Sequence, residues 1–129
     1  MKKAVIRTLL VMGVVTGVSG ISPSYADARA AAEAGSFCLY EHDDYKGGYF
    51  CINGSDVSLR KNYWVGTSRS VNNGASSMKN NTGYIVMLHD LEYFVGQYYL
   101  AKPGSSDKDL TNNSGNPSYD NKATSLEFR

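Results

Sequence analysis

The sequence predicts an all-β domain of two similar units, closed by one disulfide and preceded by an export signal. Three observations carry this: a charged and then apolar N-terminal stretch, two cysteines flanking one hairpin pattern, and a pair of blocks that recurs in the same order.

Positive charge at Lys2, Lys3 and Arg7 precedes an uncharged run of 13 residues from Leu9 to Ile21, the pattern of a signal peptide. The run is too short for a bilayer-spanning helix, which needs about 20 apolar residues, and Gly13, Gly17 and Gly20 dilute it, so no stable membrane insertion is expected after cleavage. Small residues at Ser24 and Ala26 place cleavage after Ala26, with a second candidate after Ala28. Residues 1–26 are therefore read as the signal, 27–35 as a flexible, Ala-rich leader with no apolar stripe, and 36–129 as the folded domain of a secreted, extracellular protein.

Removing Lys2, Lys3 and Arg7 from 13 basic residues leaves 10 against 12 acidic ones, a net charge of −2. The densest basic cluster, Arg60 and Lys61, is two residues long, which excludes the basic stripe that nucleic acid requires. Cys38 and Cys51 lie in an oxidising compartment on either side of a hairpin pattern and are expected to pair.

From Phe37 onward, short β-prone runs alternate with Gly, Asn, Ser and Asp: Phe37 to Tyr40, Gly48 to Ile52, Tyr84 to His89, Gln97 to Ala101 and Leu126 to Phe128. Between them, Trp64 and Val65 are expected in the core, and Ser68 to Val71 reads as a further strand. The segment Leu39 to Phe50 aligns with Leu88 to Tyr99 at an offset of 49, matching Tyr45 with Phe94, Gly47 with Gly96 and Tyr49 with Tyr98. Asn72 to Ser77 aligns with Asp120 to Ser125 at an offset of 48. Two such units can bury the faces that either alone would expose.

In the first block an aromatic residue, four others, an aromatic, one residue and Gly follow in order, as Tyr40, Tyr45 and Gly47; the second copy has His89, Phe94 and Gly96. On these residues the chain resembles the βγ-crystallin family. The resemblance implies a sandwich of two antiparallel sheets built from two Greek keys, 36–80 and 83–129. The second block resembles the calcium loops of that family: an Asn or Asp pair, two variable residues, Ser or Thr, then Ser.

Ca²⁺ takes oxygen ligands from carboxylates, amides, hydroxyls and carbonyls, which these loops supply. The resemblance implies two calcium sites formed by the hydroxyls of Ser76 and Thr124, the carbonyls of Gly74 and Lys122, and side chains among Asn72, Asn73, Asp120 and Asn121. It also implies a backbone oxygen from the opposite motif's hairpin, at Glu41 and Asp90. Ser77 and Ser125 are then structural, and Ala75 and Ala123 face the core. With Asp120 the one formally charged ligand in the two loops, affinity should fall at the weak end, ~10⁻⁵ to 10⁻³ M.

No catalytic motif is present, and His42 and His89 occupy non-equivalent positions, so binding and not turnover is expected. The first expectation is a calcium-stabilised extracellular domain. The alternative comes from small secreted bacterial metalloproteinase inhibitors of the same fold, which resemble the Cys38, Leu39, Tyr40 start of the first hairpin. For that reading the partner is an extracellular protease, and the candidate contact loops are Asp56 to Tyr63 and Ser105 to Pro117. A cell-surface component is a further possible partner.

Overall fold

The computed structural model describes residues 24–112 and 118–129, so most of the expected signal peptide lies outside the described residues. Helix α1 (Tyr25–Glu33) precedes seven strands: β1 (Phe37–His42), β2 (Lys46–Ile52), β3 (Ser77–Asn80), β4 (Val86–Leu91), β5 (Val95–Ala101), β6 (Ser106–Asp107) and β7 (Ser125–Phe128). They form two antiparallel sheets, ordered β2-β1-β3-β6 and β5-β4-β7. The two sheets pack as a sandwich of two Greek keys, and the all-β expectation holds.

Each repeat lends one segment to the other's sheet. β6, from the second repeat, pairs with β3 of the first. In return Asp56, from the first repeat, bridges Leu126 of β7, each backbone N–H donating to the other's carbonyl at 2.9 and 3.0 Å. The side chains between the sheets come from both halves: Phe37, Leu39, Leu59, Trp64 and Met78 from the first, and Val86, Leu88, Leu110, Tyr119 and Leu126 from the second. Alternation explains the inward set, because residues two apart on a strand share a face.

Both hairpins turn identically. Asp44 and Tyr45 in the first, and Tyr93 and Phe94 in the second, have φ between 58° and 63°. Gly47 and Gly96 follow with φ of 77° and 91°. A Cβ at Gly47 would lie 2.5 Å from His42 Cδ2, and one at Gly96 2.0 Å from Asp90 Oδ1, so both conformation and space require glycine. The aromatic pairs read from sequence are in contact: Tyr40 meets Tyr45 edge to face with centroids 5.5 Å apart, and His89 lies tilted against Phe94 at 5.9 Å. His89 thus takes the place of the aromatic in the second hairpin.

The disulfide joins Cys38 and Cys51, which face each other across the β1–β2 ladder. Three expectations are corrected. The segment read as a flexible leader is mostly helix α1, capped by Ser24 Oγ accepting from Asp27 N. It needs no apolar stripe because charge and aromatic contacts dock it: Arg29 sits 4.7 Å above the Tyr40 ring, Arg29 Nη2 donates to Tyr45 O at 2.6 Å, and Tyr40 Oη bonds Glu33. Trp64 is buried as expected, but Val65 is exposed, because the chain turns outward after the tryptophan. Ser68 to Val71 forms no strand; it is the return arm of a tight loop whose single bridge pairs Tyr63 with Ser70.

Candidate functional site

The two Asn- and Asp-rich loops lie against each other around a local twofold. Asn73 N donates to Ala123 O at 3.0 Å, and Asn121 N donates to Ala75 O at 2.9 Å. Asn73 and Asn121 are left-handed, with φ of 56° and 57°, a conformation asparagine adopts more readily than most residues. Ala75 and Ala123 are fully buried, as expected. Ser77 Oγ donates to His42 O and accepts from Tyr45 N; Ser125 Oγ donates to Leu91 O and accepts from Phe94 N. Both serines are therefore structural, pinning each loop to a hairpin turn.

The predicted donors fall into two groups. In the second loop, Thr124 Oγ1 lies 2.9 Å from Asn73 Oδ1 and 3.3 Å from Lys122 O, which brings a hydroxyl, an amide oxygen and a carbonyl together. In the first loop Ser76 is buried beside Gly74, but Asn121 turns its amide to Asp120 Oδ2, 3.1 Å away, and so the twofold is broken at the side chains. Asn72 Oδ1 is buried with no hydrogen-bond partner among the described residues. Such an orphaned oxygen fits a cation ligand, since burial without a partner is costly.

Each loop also hydrogen-bonds the hairpin of its own repeat. Ser76 N donates to Tyr40 O, next to Glu41, and Thr124 N donates to His89 O, next to Asp90. It is the Asn73 side chain that crosses between repeats. The Glu41 carboxylate is engaged, accepting from Gly48 N and pairing with Arg69. Asp90 Oδ1 is buried over Gly96 with no hydrogen-bond partner among the described residues.

Negative charge gathers near the first loop. Asp43 is exposed, yet its carboxyl is raised above the ordinary value, by desolvation and then by the charges of Asp109, Asp120 and Asp44. Among the described residues no group of three His, Cys, Asp or Glu side chains converges. Any cation here would be held mainly by neutral oxygens, a donor set suited to calcium.

Sequence reasoning missed a third repeated block. Asp56, Ser58 and Leu59 match Asp107, Asp109 and Leu110 at an offset of 51. In each, the aspartate Oδ1 accepts from the backbone N–H two residues on, and the leucine is fully buried. The same comparison that revealed the hexamers would have found it.

Of the candidate contact loops, Asp56 to Tyr63 is firmly held. Asn62 Nδ2 donates to Asp56 Oδ2 at 2.6 Å, and Arg60 Nε pairs with Glu92 at 3.3 Å. Part of Ser105 to Pro117 is strand β6, and residues 113–117 lie outside the described residues. A third exposed loop, Tyr63 to Ser70, is anchored by buried Trp64, whose N–H donates to Arg69 O at 3.0 Å.

The model of peptidase inhibitor family I36 matches residues 25–101. The chain belongs to this family. The I36 match runs from the first residue of α1 to the last of β5, so the docked helix lies within the family's span. No curated protein sequence matches this one. Among solved structures, the I36 chain shares its fold with a domain described under the evolution of the eye lens βγ-crystallin domain fold, at TM-score 0.62 and 20% identity over 74% of this chain and 86% of that one. A βγ-crystallin from Ciona intestinalis superposes at 0.57, with 22% identity over 74% of this chain and 100% of that one. A variant βγ-crystallin domain from Clostridium beijerinckii follows at 0.55, with 18% identity over 72% and 95%. Both family and fold read from sequence are thereby found.

Proposed function

We propose that this chain is an exported, non-catalytic inhibitor of extracellular peptidases, with calcium as a structural staple. The observation that carries the inhibitor reading is the I36 match over residues 25–101. It brings forward the reading that the sequence alone placed second. A disulfide between Cys38 and Cys51 suits an oxidising compartment, and among the described residues no helix is long and apolar enough to cross a membrane. The test is direct: the purified chain, from Asp27 onward, is titrated against secreted metallo-, serine, cysteine and aspartic peptidases. Failure to slow any of them rejects the reading.

Calcium is supported by a separate observation, the convergence of Thr124 Oγ1, Asn73 Oδ1 and Lys122 O, together with the buried, unpartnered Asn72 Oδ1. The second site would draw on these and the backbone oxygen of Asp90. The first would draw on Ser76 Oγ, Gly74 O, Asn121 or Asp120, and the backbone oxygen of Glu41. Bound calcium would supply positive charge that holds the two loops together; the residues themselves set the loop conformation through Asn73, Asn121, Ser77 and Ser125. At a calcium concentration about 100 times Kd, one site stabilises the fold by ~2.7 kcal/mol.

Calorimetry of the chelator-stripped chain should show two ions of Ca²⁺ bound and none of Mg²⁺. Ser76→Ala combined with Thr124→Ala should remove most of that heat and leave the unliganded fold intact. An unchanged titration in the double variant rejects the ligand assignment.

A further inference from the structure

The two repeats provide an internal comparison of surfaces built on the same backbone. Leu91, Tyr93 and Val95 in the second hairpin occupy the positions of His42, Asp44 and Lys46 in the first, at the offset of 49. Val57 and Lys108 are likewise equivalent: Tyr93 N donates to Val57 O, and Asp44 N to Lys108 O, both at 2.9 Å. At the three hairpin places the first repeat carries polar or charged side chains and the second apolar ones, 54%, 69% and 53% exposed for Leu91, Tyr93 and Val95; beside the second hairpin the first repeat's Val57, 43% exposed, stands where the first hairpin meets the second repeat's Lys108.

The first hairpin shows that this turn folds without apolar side chains there, or at the neighbouring place that Lys108 fills, so Leu91, Tyr93, Val95 and Val57 do not serve the fold. Tyr93 acts against it. Its φ is 63°, in the left-handed region that aspartate, as at Asp44, enters more readily than a large aromatic residue does. Tyr45 and Phe94 are left-handed as well, at 61°, but pack against Tyr40 and His89, whereas Tyr93 is 69% exposed, so its strain is not offset by burial.

The tip is also preorganised. Ser125 Oγ binds both Leu91 O and Phe94 N, and Glu92 bonds Ser58 Oγ and pairs with Arg60. Leu91 and Val95 face each other across the ladder on either side of the turn. A rigid, convex, apolar tip loses little entropy on docking and fits a concave, apolar partner. Family I36 identifies a partner with such a concavity, the substrate cleft of a peptidase.

We propose that the tip of the β4–β5 hairpin, flanked by Val57, enters the cleft of an extracellular peptidase whose pockets accept large apolar side chains. This rests on the inhibitor reading above. It joins the Asp56 to Tyr63 loop to a hairpin that sequence reasoning had not linked to it.

The experiment gives the second hairpin the residues of the first, and gives Val57 beside it the residue of its counterpart Lys108. The chain from Asp27 onward and its variant Val57→Lys, Leu91→His, Tyr93→Asp, Val95→Lys are compared as inhibitors of thermolysin, subtilisin, papain and pepsin, each variant's fold being checked by thermal melting. The wild type should inhibit at least one peptidase, and the variant's inhibition constant should rise about 100-fold or more, as expected for loss of a central apolar cluster. Tyr93→Asp alone, which relieves strain, should weaken inhibition by about tenfold with an equal or higher Tm, and it keeps the test decisive if the fourfold variant fails to fold. Inhibition retained by both variants overturns the proposal and leaves the inhibitor reading standing. No inhibition by the wild type overturns both. A wild type that sediments as a dimer and a variant that is monomeric with undiminished inhibition would assign the patch to a second copy, and would overturn the proposal too.

Discussion

At the scale of the residue, the hydroxyl ending each Asn- or Asp-rich loop satisfies two backbone groups at once. Ser125 Oγ accepts from Phe94 N at 3.1 Å and donates to Leu91 O at 2.6 Å in a side chain with no solvent exposure. Ser125→Ala leaves both groups wanting, which should destabilise the fold by about 1–3 kcal/mol, read as a lower urea midpoint with unchanged slope. This role was legible in the hexamer, as were the buried Ala75 and Ala123. The outward turn at Val65 was not. An apolar residue beside a tryptophan reads as core, and the turn signal that follows it, Gly66 with φ of 77° and then Thr67 and Ser68, went unused although the chain reverses there between Trp64 and Arg69.

Among the elements, α1 shows how charge can substitute for an apolar stripe. The Glu33 carboxyl is opposed by burial, which raises it, but hydrogen bonds from Tyr40 and Arg29 and the charges of Lys79 and Arg29 outweigh that and hold it below 4.5. A carboxyl depressed in the folded state contributes stability that is complete above the unfolded value and is lost as pH falls through the folded one. Arg29→Ala should therefore lower Tm near neutral pH by roughly 4–8 °C, for about 1 kcal/mol, and flatten the loss of stability below pH 4.5, as followed by melting across pH. Cleavage after either Ala26 or Ala28 retains Arg29 and Glu33. The disulfide closes a separation of 13 residues, and its reduction should cost about 3 kcal/mol, a fall in Tm on the order of 10–20 °C, without changing the number of ions bound in calorimetry. The long strands were legible from Tyr, Val and Phe runs. β3 (Ser77–Asn80) and β6 (Ser106–Asp107) were not, because strands this short and polar carry no alternation and exist only through their partners.

Over the whole molecule, the loops sit where the two repeats meet, and Asn73 N and Asn121 N each bond across that seam. Chelating calcium should accordingly lower Tm and also weaken inhibition, since Thr124 N is bonded to the strand that leads into the β4–β5 tip. Parallel melting and inhibition curves with and without chelator check this; inhibition insensitive to chelator would separate the two roles. The duplicated architecture was legible because two blocks recur at nearly constant offset. The difference between the halves was hidden at positions where the alignment shows no match, such as His42 against Leu91.

The reciprocal exchange of Asp56 and β6 also governs when the protein can fold. Asp56 reaches its partner only when Leu126 exists, and β4 has one neighbour until Ser125–Phe128 arrives. Contacts so distant along the chain form late and slowly. The β5-β4-β7 sheet therefore cannot close on the ribosome until residues 125–128 have been made, and the strands that wait for them stay threadable up to that point.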